Sequence, residues 1–188
     1  NIVFTRKCYD GSDNLMQPCT PVADVRKIAT HVTIDGTRSG SNEGETKTWT
    51  GAVHRAGDDT LTRVFVTGTE TSRVHVATGT ANDTLTVTEG TSVRQVSESA
   101  IDSVKALTWN LPHASNPWPA SGSIVRRVHV KVSVTTDTRT SLRDVTRRVS
   151  VTFPADAQGN VVLTISGALS TQTCNLNLVT HAVTNCQN

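Results

Sequence analysis

Residues 126 to 136 read RRVHVKVSVTT. Val128, Val130, Val132 and Val134 fall on one side of an extended chain, and Arg127, His129, Lys131, Ser133 and Thr135 on the other. That period of two predicts a strand with one dry face and one face that meets water or a partner. The alternation recurs along most of the chain. IATHVTID (28–35) is the first candidate strand, followed by a polar turn, GTRSGSNEGE (36–45). TKTWTGAVHR (46–55) puts Trp49, Gly51 and Val53 on one face. Three short units then follow, TRVFVTG (62–68), SRVHVATG (72–79) and DTLTVTEG (83–90), each ending in glycine. Their spacing of about ten residues is the rhythm of an antiparallel meander or sandwich. Asp58-Asp59, ahead of them, reads as a hairpin turn.

Residues 92 to 110, SVRQVSESAIDSVKALTWN, partly fit helical spacing at Val93, Val96, Ile101, Val104 and Leu107. Serines and β-branched residues weaken a helix, so strands with a bend near Ala100 are expected. LPHASNPWPASG (111–122) is a loop with three prolines. Two long strands, 123–136 and about 142–153, are joined by TDTRTS. PADAQGN is a turn, and VVLTISG with TCNLNLVTHAV forms a final hairpin.

Composition agrees with this pattern. The 188 residues include 31 Thr and 25 Val, with 4% aromatic residues and a single Met, a usage that favours strands and an aliphatic core. Apolar strand faces require a covering layer. The expected fold is therefore all-β, an antiparallel β-sandwich or, as the alternative, a small closed or partly open β-barrel. Residues 1–25 are expected as an irregular disulfide-tied segment and 26–188 as the β domain. No run approaches the ~20 apolar residues of a spanning helix, and seven aromatic residues supply poorly the two girdles of a membrane barrel.

The cysteines lie in two local pairs, Cys8 with Cys19 and Cys174 with Cys186. Neither has the CxxC spacing of a zinc site. Four cysteines allow three connectivities; the local one is favoured because it ties down each chain end. Disulfides imply an oxidising compartment, and Asn1 as first residue is consistent with a removed secretory signal or with trimming. An exported chain is expected, periplasmic or extracellular.

Motifs for catalysis are missing: there is no GxSxG, no HExxH and no P-loop. The six histidines (31, 54, 75, 113, 129, 181) are scattered singly. DGSDN (10–14) clusters oxygen atoms as calcium sites do, without the EF-hand spacing; a tight turn is the competing reading. No catalytic, cofactor-binding or metal residue is assigned, and no cofactor is expected. Whole-chain charge of +2 argues against nucleic acid. The charge is unevenly placed, however. Residues 126–148 hold seven basic and two acidic side chains. If the two long strands pair, Arg127, His129, Lys131 and Arg148 share one outward face, either solvated and edge-protecting or docking on an acidic protein surface or anionic lipid head groups. The second candidate contact is Asn116, Pro117, Trp118 and Pro119. Two prolines stiffen the loop around an indole, which acts as an interface anchor or folds back as a lid.

The Arg-Val-x-Val strands, NPWPASGSI before the basic hairpin and the terminal CNLNLVTHAVTNC resemble Thr/Val-rich secreted proteins of environmental Gram-negative bacteria, gemmatimonads among them. The resemblance covers roughly residues 45 to 188 and implies no assigned activity. In such bacteria, one known job of cofactor-free membrane-extrinsic proteins is to clamp a photosynthetic reaction centre to its antenna rings, and the resemblance implies this as a candidate role. The expectation is a non-enzymatic, exported structural or docking subunit of a membrane-associated assembly, with a carbohydrate- or cell-surface-binding module as the alternative.

Overall fold

The computed structural model describes residues 1–20, 24–41, 44 and 46–188. Eleven strands follow in chain order: β1 (Ile2–Tyr9), β2 (Leu15–Met16), β3 (Lys27–Ser41), β4 (Lys47–Val66), β5 (Thr69–Glu89), β6 (Ser92–Asn110), β7 (Ser121–Thr135), β8 (Thr140–Phe153), β9 (Asn160–Ser166), β10 (Thr171–Asn177) and β11 (Val183–Gln187). All belong to one open antiparallel sheet in the order β11-β10-β9-β8-β7-β6-β5-β4-β3-β1-β2. Among the described residues no helix is long and apolar enough to cross a membrane. The all-β antiparallel architecture and both local disulfides, Cys8–Cys19 and Cys174–Cys186, are present.

The strands are longer than the turn signals suggest. Gly79 and Asp58-Asp59 do not turn the chain. Gly79 lies inside β5 opposite Gly57, and Asp58 and Asp59 lie inside β4 opposite His31 and Thr30. The true turns use glycines at positive φ, Gly68 and Gly90, where the missing Cβ removes the clash. The turn expected at 36–45 starts instead as strand, since β3 continues to Ser41; of its remaining residues only Gly44 is among those described. The first residues are not irregular: Ile2–Tyr9 pairs with β3 from Ile34 back to Lys27. Residues 92–110 form one strand. Ala100 sits there in regular register between Ala81 and Val128. The bend is a bulge further on, where the register with β7 shifts between Lys105 and Thr108. Opposite it, Gly122 has φ +106°, and a Cβ there would stand 2.6–2.8 Å from Ala106 O, Leu107 Cα and Lys105 O.

Register assigns the two faces. The row Ala77, Val104, Ile124, Val151, Leu163 runs across five strands on one side. Asp35, His54, Asn82, Ser99, His129 and Thr146 form a row across six strands on the other. The sheet therefore has an apolar and a polar face, as period-two patterning demands. What differs from expectation is the second layer. Instead of two stacked sheets there is a single open one, and the barrel alternative is not closed. Val128, Val130, Val132 and Val134 are half-buried, and Val53 and Leu85 are 37% and 39% exposed.

Full burial is confined mostly to one end of the sheet. Cys8, Val25, Leu107, Val161, Leu163 and Cys174 are buried there, under the bulges and both disulfides. Charged groups reinforce this end. Arg63 Nη1 donates to the Val25 carbonyl at 2.8 Å, and its Nη2 to Glu70 Oε2 at 2.8 Å. Arg73 Nε donates to Glu70 Oε1 at 2.7 Å, and the Arg26 guanidinium lies 3.6 Å from the Phe65 ring centroid. Hydrogen bonds from Arg63 and then Arg73 hold the Glu70 carboxyl down at about 2. Because the folded value lies below the unfolded one, this contribution is complete above pH ~4.5 and is lost as pH falls towards about 2. Glu70→Gln is expected to lower stability by about 1–3 kcal/mol at neutral pH. Denaturant titrations at several pH values should also show a flatter acid limb in the variant than in the wild type.

Candidate functional site

The basic hairpin is assembled as its sequence anticipates. β7 and β8 pair with Arg127 opposite Arg148, His129 opposite Thr146 and Lys131 opposite Asp144. Alternation and register together put Arg127, His129, Lys131 and Arg148 on the polar face. The four are not equivalent. Asp144 Oδ1 hydrogen-bonds His129 Nε2 at 2.6 Å, and its Oδ2 lies 3.8 Å from Lys131 Nζ. Arg127 and Arg148 stand directly across from each other, both exposed, and neither has an acidic partner among the described residues. Beside them, Ser99, Ile101, Arg127, His129 and Thr146 line an open groove of about 270 Å³. Two guanidiniums on adjacent strands with hydroxyl groups nearby suit an anion, which guanidinium binds in a planar, two-pronged fashion.

The rest of the local positive charge has other duties. Arg126 emerges on the apolar face and pairs with Glu98 at 3.4 Å and Asp102 at 3.8 Å. β9 covers β8 only from Arg148 to Thr152. The 140–147 stretch therefore has an unpaired outer edge, and Arg143 and Arg147 lie on it. Charges at an open edge oppose strand addition by another chain.

The Asn116–Pro119 loop belongs elsewhere. It lies at the buried end, before β7 begins at Ser121, six residues or roughly 20 Å of strand from Arg127. Pro119 is buried and Trp118 half-buried. The indole Nε1 and Val179 Cγ2 lie 3.8 Å and 3.5 Å from where a Cβ on Gly159 would stand. Trp118 therefore lies against the turn between β8 and β9, and the loop does not join the hairpin in one surface.

Other chemistry-bearing groups pair locally. Four of the six histidines contact an aspartate on an adjacent strand: His31–Asp58, His54–Asp35, His75–Asp59 and His129–Asp144. Sequence reading missed these pairs because the partners are 15 to 27 residues apart, and only the register brings them together. A local signal was available for another feature. Asp10 accepts from Ser12 N, Asn14 N and Asn14 Nδ2, and Asp156 accepts from Gln158 N, Asn160 N and Asn160 Nδ2. Both loops share Asp-x-x-x-Asn, an Asx turn that closes a hairpin. The side-chain bond to the asparagine is the main cause that holds each of these carboxyls below its usual range. DGSDN is thus occupied by its own turn, with Asp13 paired to Lys27. Among the described residues no cluster of three or more His, Cys, Asp or Glu side chains is placed to hold a metal ion.

The three tryptophans do not gather. Trp49 covers Gly40 near the far end of β4, Trp118 lies on the β8–β9 turn, and Trp109 stands 6.2 Å from His75. Asp59, Leu61, Arg73, His75, Trp109 and His113 line an open groove of about 300 Å³ on the apolar face. In comparisons with protein-family models, curated proteins and solved structures, nothing matches the chain.

Proposed function

We propose that the protein is a non-enzymatic structural subunit, exported to the periplasm or beyond, which docks through its polar face on an acidic surface of a membrane-associated assembly. The observation that carries this reading is the Arg127–Arg148 pair. Like charges directly opposite each other on adjacent strands cost about 0.2–1 kcal/mol, and the described residues supply no acid to relieve them. An external anionic surface would. The two disulfides fit the oxidising compartment this role requires, and a rigid sheet with tied ends suits a part that positions others. A photosynthetic reaction centre with its antenna is the concrete assembly suggested by the sequence resemblance.

The test is salt-dependent association with native membranes. The wild type should sediment with them at low salt and be released by high salt without detergent, as peripheral contacts made by exposed charge are. Arg127→Glu with Arg148→Glu should shift the protein at least about tenfold towards the soluble fraction. A wild type that runs free at physiological salt, or a double variant that binds as the wild type does, contradicts the reading. Binding to vesicles of anionic lipid alone would move the partner from protein to head groups.

A second reading, carbohydrate binding, rests on the Trp109 groove, where an indole lies beside a His–Asp pair and Arg73. It predicts a change in tryptophan fluorescence with a glycan panel that is lost in Trp109→Phe. An unchanged spectrum across the panel removes it.

A further inference from the structure

The apolar face carries a consequence independent of what the polar face binds. The chain exposes 12270 Å², whereas a compact monomer of 20.1 kDa exposes about 8,700 Å². The excess is that of a sheet lacking its second layer: Val53, Leu85 and Ile124 are 37–40% exposed on the apolar face. An uncovered sheet face lined with Val, Leu and Ile side chains marks a contact surface.

Lipid does not fit this face. At mid-height it carries Arg55, Asp83, Glu98, Asp102 and Arg126, and an arginine on the lipid side of a strand costs roughly 2–4 kcal/mol near the membrane centre, a carboxylate less. An oppositely charged partner is not called for either. Arg55 pairs with Asp83, and Arg126 with Glu98 and Asp102, so the middle of the face is neutralised within itself. That middle can meet its own copy without like-charge repulsion; Arg38 and Arg94 share the face towards the far ends of β3 and β6. Arg143 and Arg147 flank the groove over Val128, Val130 and Val132 at the β8 side of the face, where long side chains reach past an interface into water.

Dimensions point the same way. β4, β5 and β6 are 20, 21 and 19 residues long, against about five or six for an ordinary strand. A cover of matching length and twist is supplied by a second copy of the sheet, since two right-twisted sheets stack with strands about 30° apart. Covering half of the excess on each of two chains removes about 3,500 Å² in total, within the range of obligate homodimers. We infer that two copies of this chain pack apolar face to apolar face, so that the sandwich expected from the sequence forms between chains.

Light scattering coupled to size-exclusion chromatography tests this on the full chain. The expected mass is twice 20.1 kDa. Leu85→Asp should weaken the dimer at least about 100-fold, because it buries a carboxylate without a partner. Leu85 is already 39% exposed in the single chain, so the variant should retain its β-type circular dichroism. Ile101→Asp places the same charge at a 58% exposed position on the polar face and should remain dimeric. A monomeric wild type, or a Leu85→Asp dimer as tight as the wild type, overturns the inference. A monomeric wild type that binds an apolar dye in a Leu85-dependent way would show the face open for a different protein. Neither outcome bears on the docking role of Arg127 and Arg148.

Discussion

Gly122→Ala is expected to destabilise the fold by about 3 kcal/mol, the largest effect of any single methyl group in this chain. Two costs combine. A φ of +106° lies in a region that side chains with a Cβ rarely adopt. In addition the new Cβ would stand 2.6 Å from Ala106 O, 2.7 Å from Leu107 Cα and 2.8 Å from Lys105 O, all backbone atoms that cannot swing away. The bulge that creates this contact also buries Leu107. Relaxing one would uncover the other, at the end of the sheet where most of the core resides. Gly36→Ala is the control. A Cβ at Gly36 would meet no heavy atom within 4 Å, and its φ is ordinary. Stability there should change by less than about 1 kcal/mol, with reduced unfolded-state entropy in its favour. Urea midpoints of the two variants, with unchanged slopes, would measure the difference directly.

Opening the Cys174–Cys186 bridge ranks second. β11 is exposed along its whole length and meets the sheet only through β10, with an irregular register between Thr173 and Asn175. Hydrogen bonds at so open an edge hold a strand weakly. The bridge closes a short loop, its cysteines 12 positions apart, and restrains the unfolded chain by about 3 kcal/mol. Cys174→Ser with Cys186→Ser should therefore lower stability by about 2–3 kcal/mol. Amide exchange in 183–187 should rise to nearly unprotected rates while β4 to β7 stay protected. Uniform loss of protection across the sheet would instead show that β11 supports the whole.

Strand identity was legible in the sequence, and strand length was not. Valines at 128, 130, 132 and 134 could belong only to a pleated segment with one apolar side, and they do. Gly79 and Asp58-Asp59 misled because a glycine or a pair of aspartates reads as a turn when judged locally. In the sheet Gly79 faces Gly57, and each aspartate meets a histidine on a neighbouring strand. The hairpin's shared basic face followed from alternation alone. That Asp144 sits between His129 and Lys131 while Arg127 and Arg148 lack an acid among the described residues required the register. The missing second layer was beyond reach, because the same pattern of buried and wet positions results whether the cover comes from the same chain or from another.

The long strands lie side by side in one open layer within each chain. Ser39 and Leu142 occupy one row of the polar face, linked through Thr50, Thr86, Gln95 and Ser133, and both are exposed. Spin labels on Ser39→Cys and Leu142→Cys, in chains diluted with unlabelled protein, report their separation within one molecule. Five strand spacings place the two backbones about 24 Å apart, and a pulsed dipolar measurement centred near that value is the predicted result. A separation near ~10 Å, as in stacked layers, or near ~5 Å, as in a closed barrel, would contradict it.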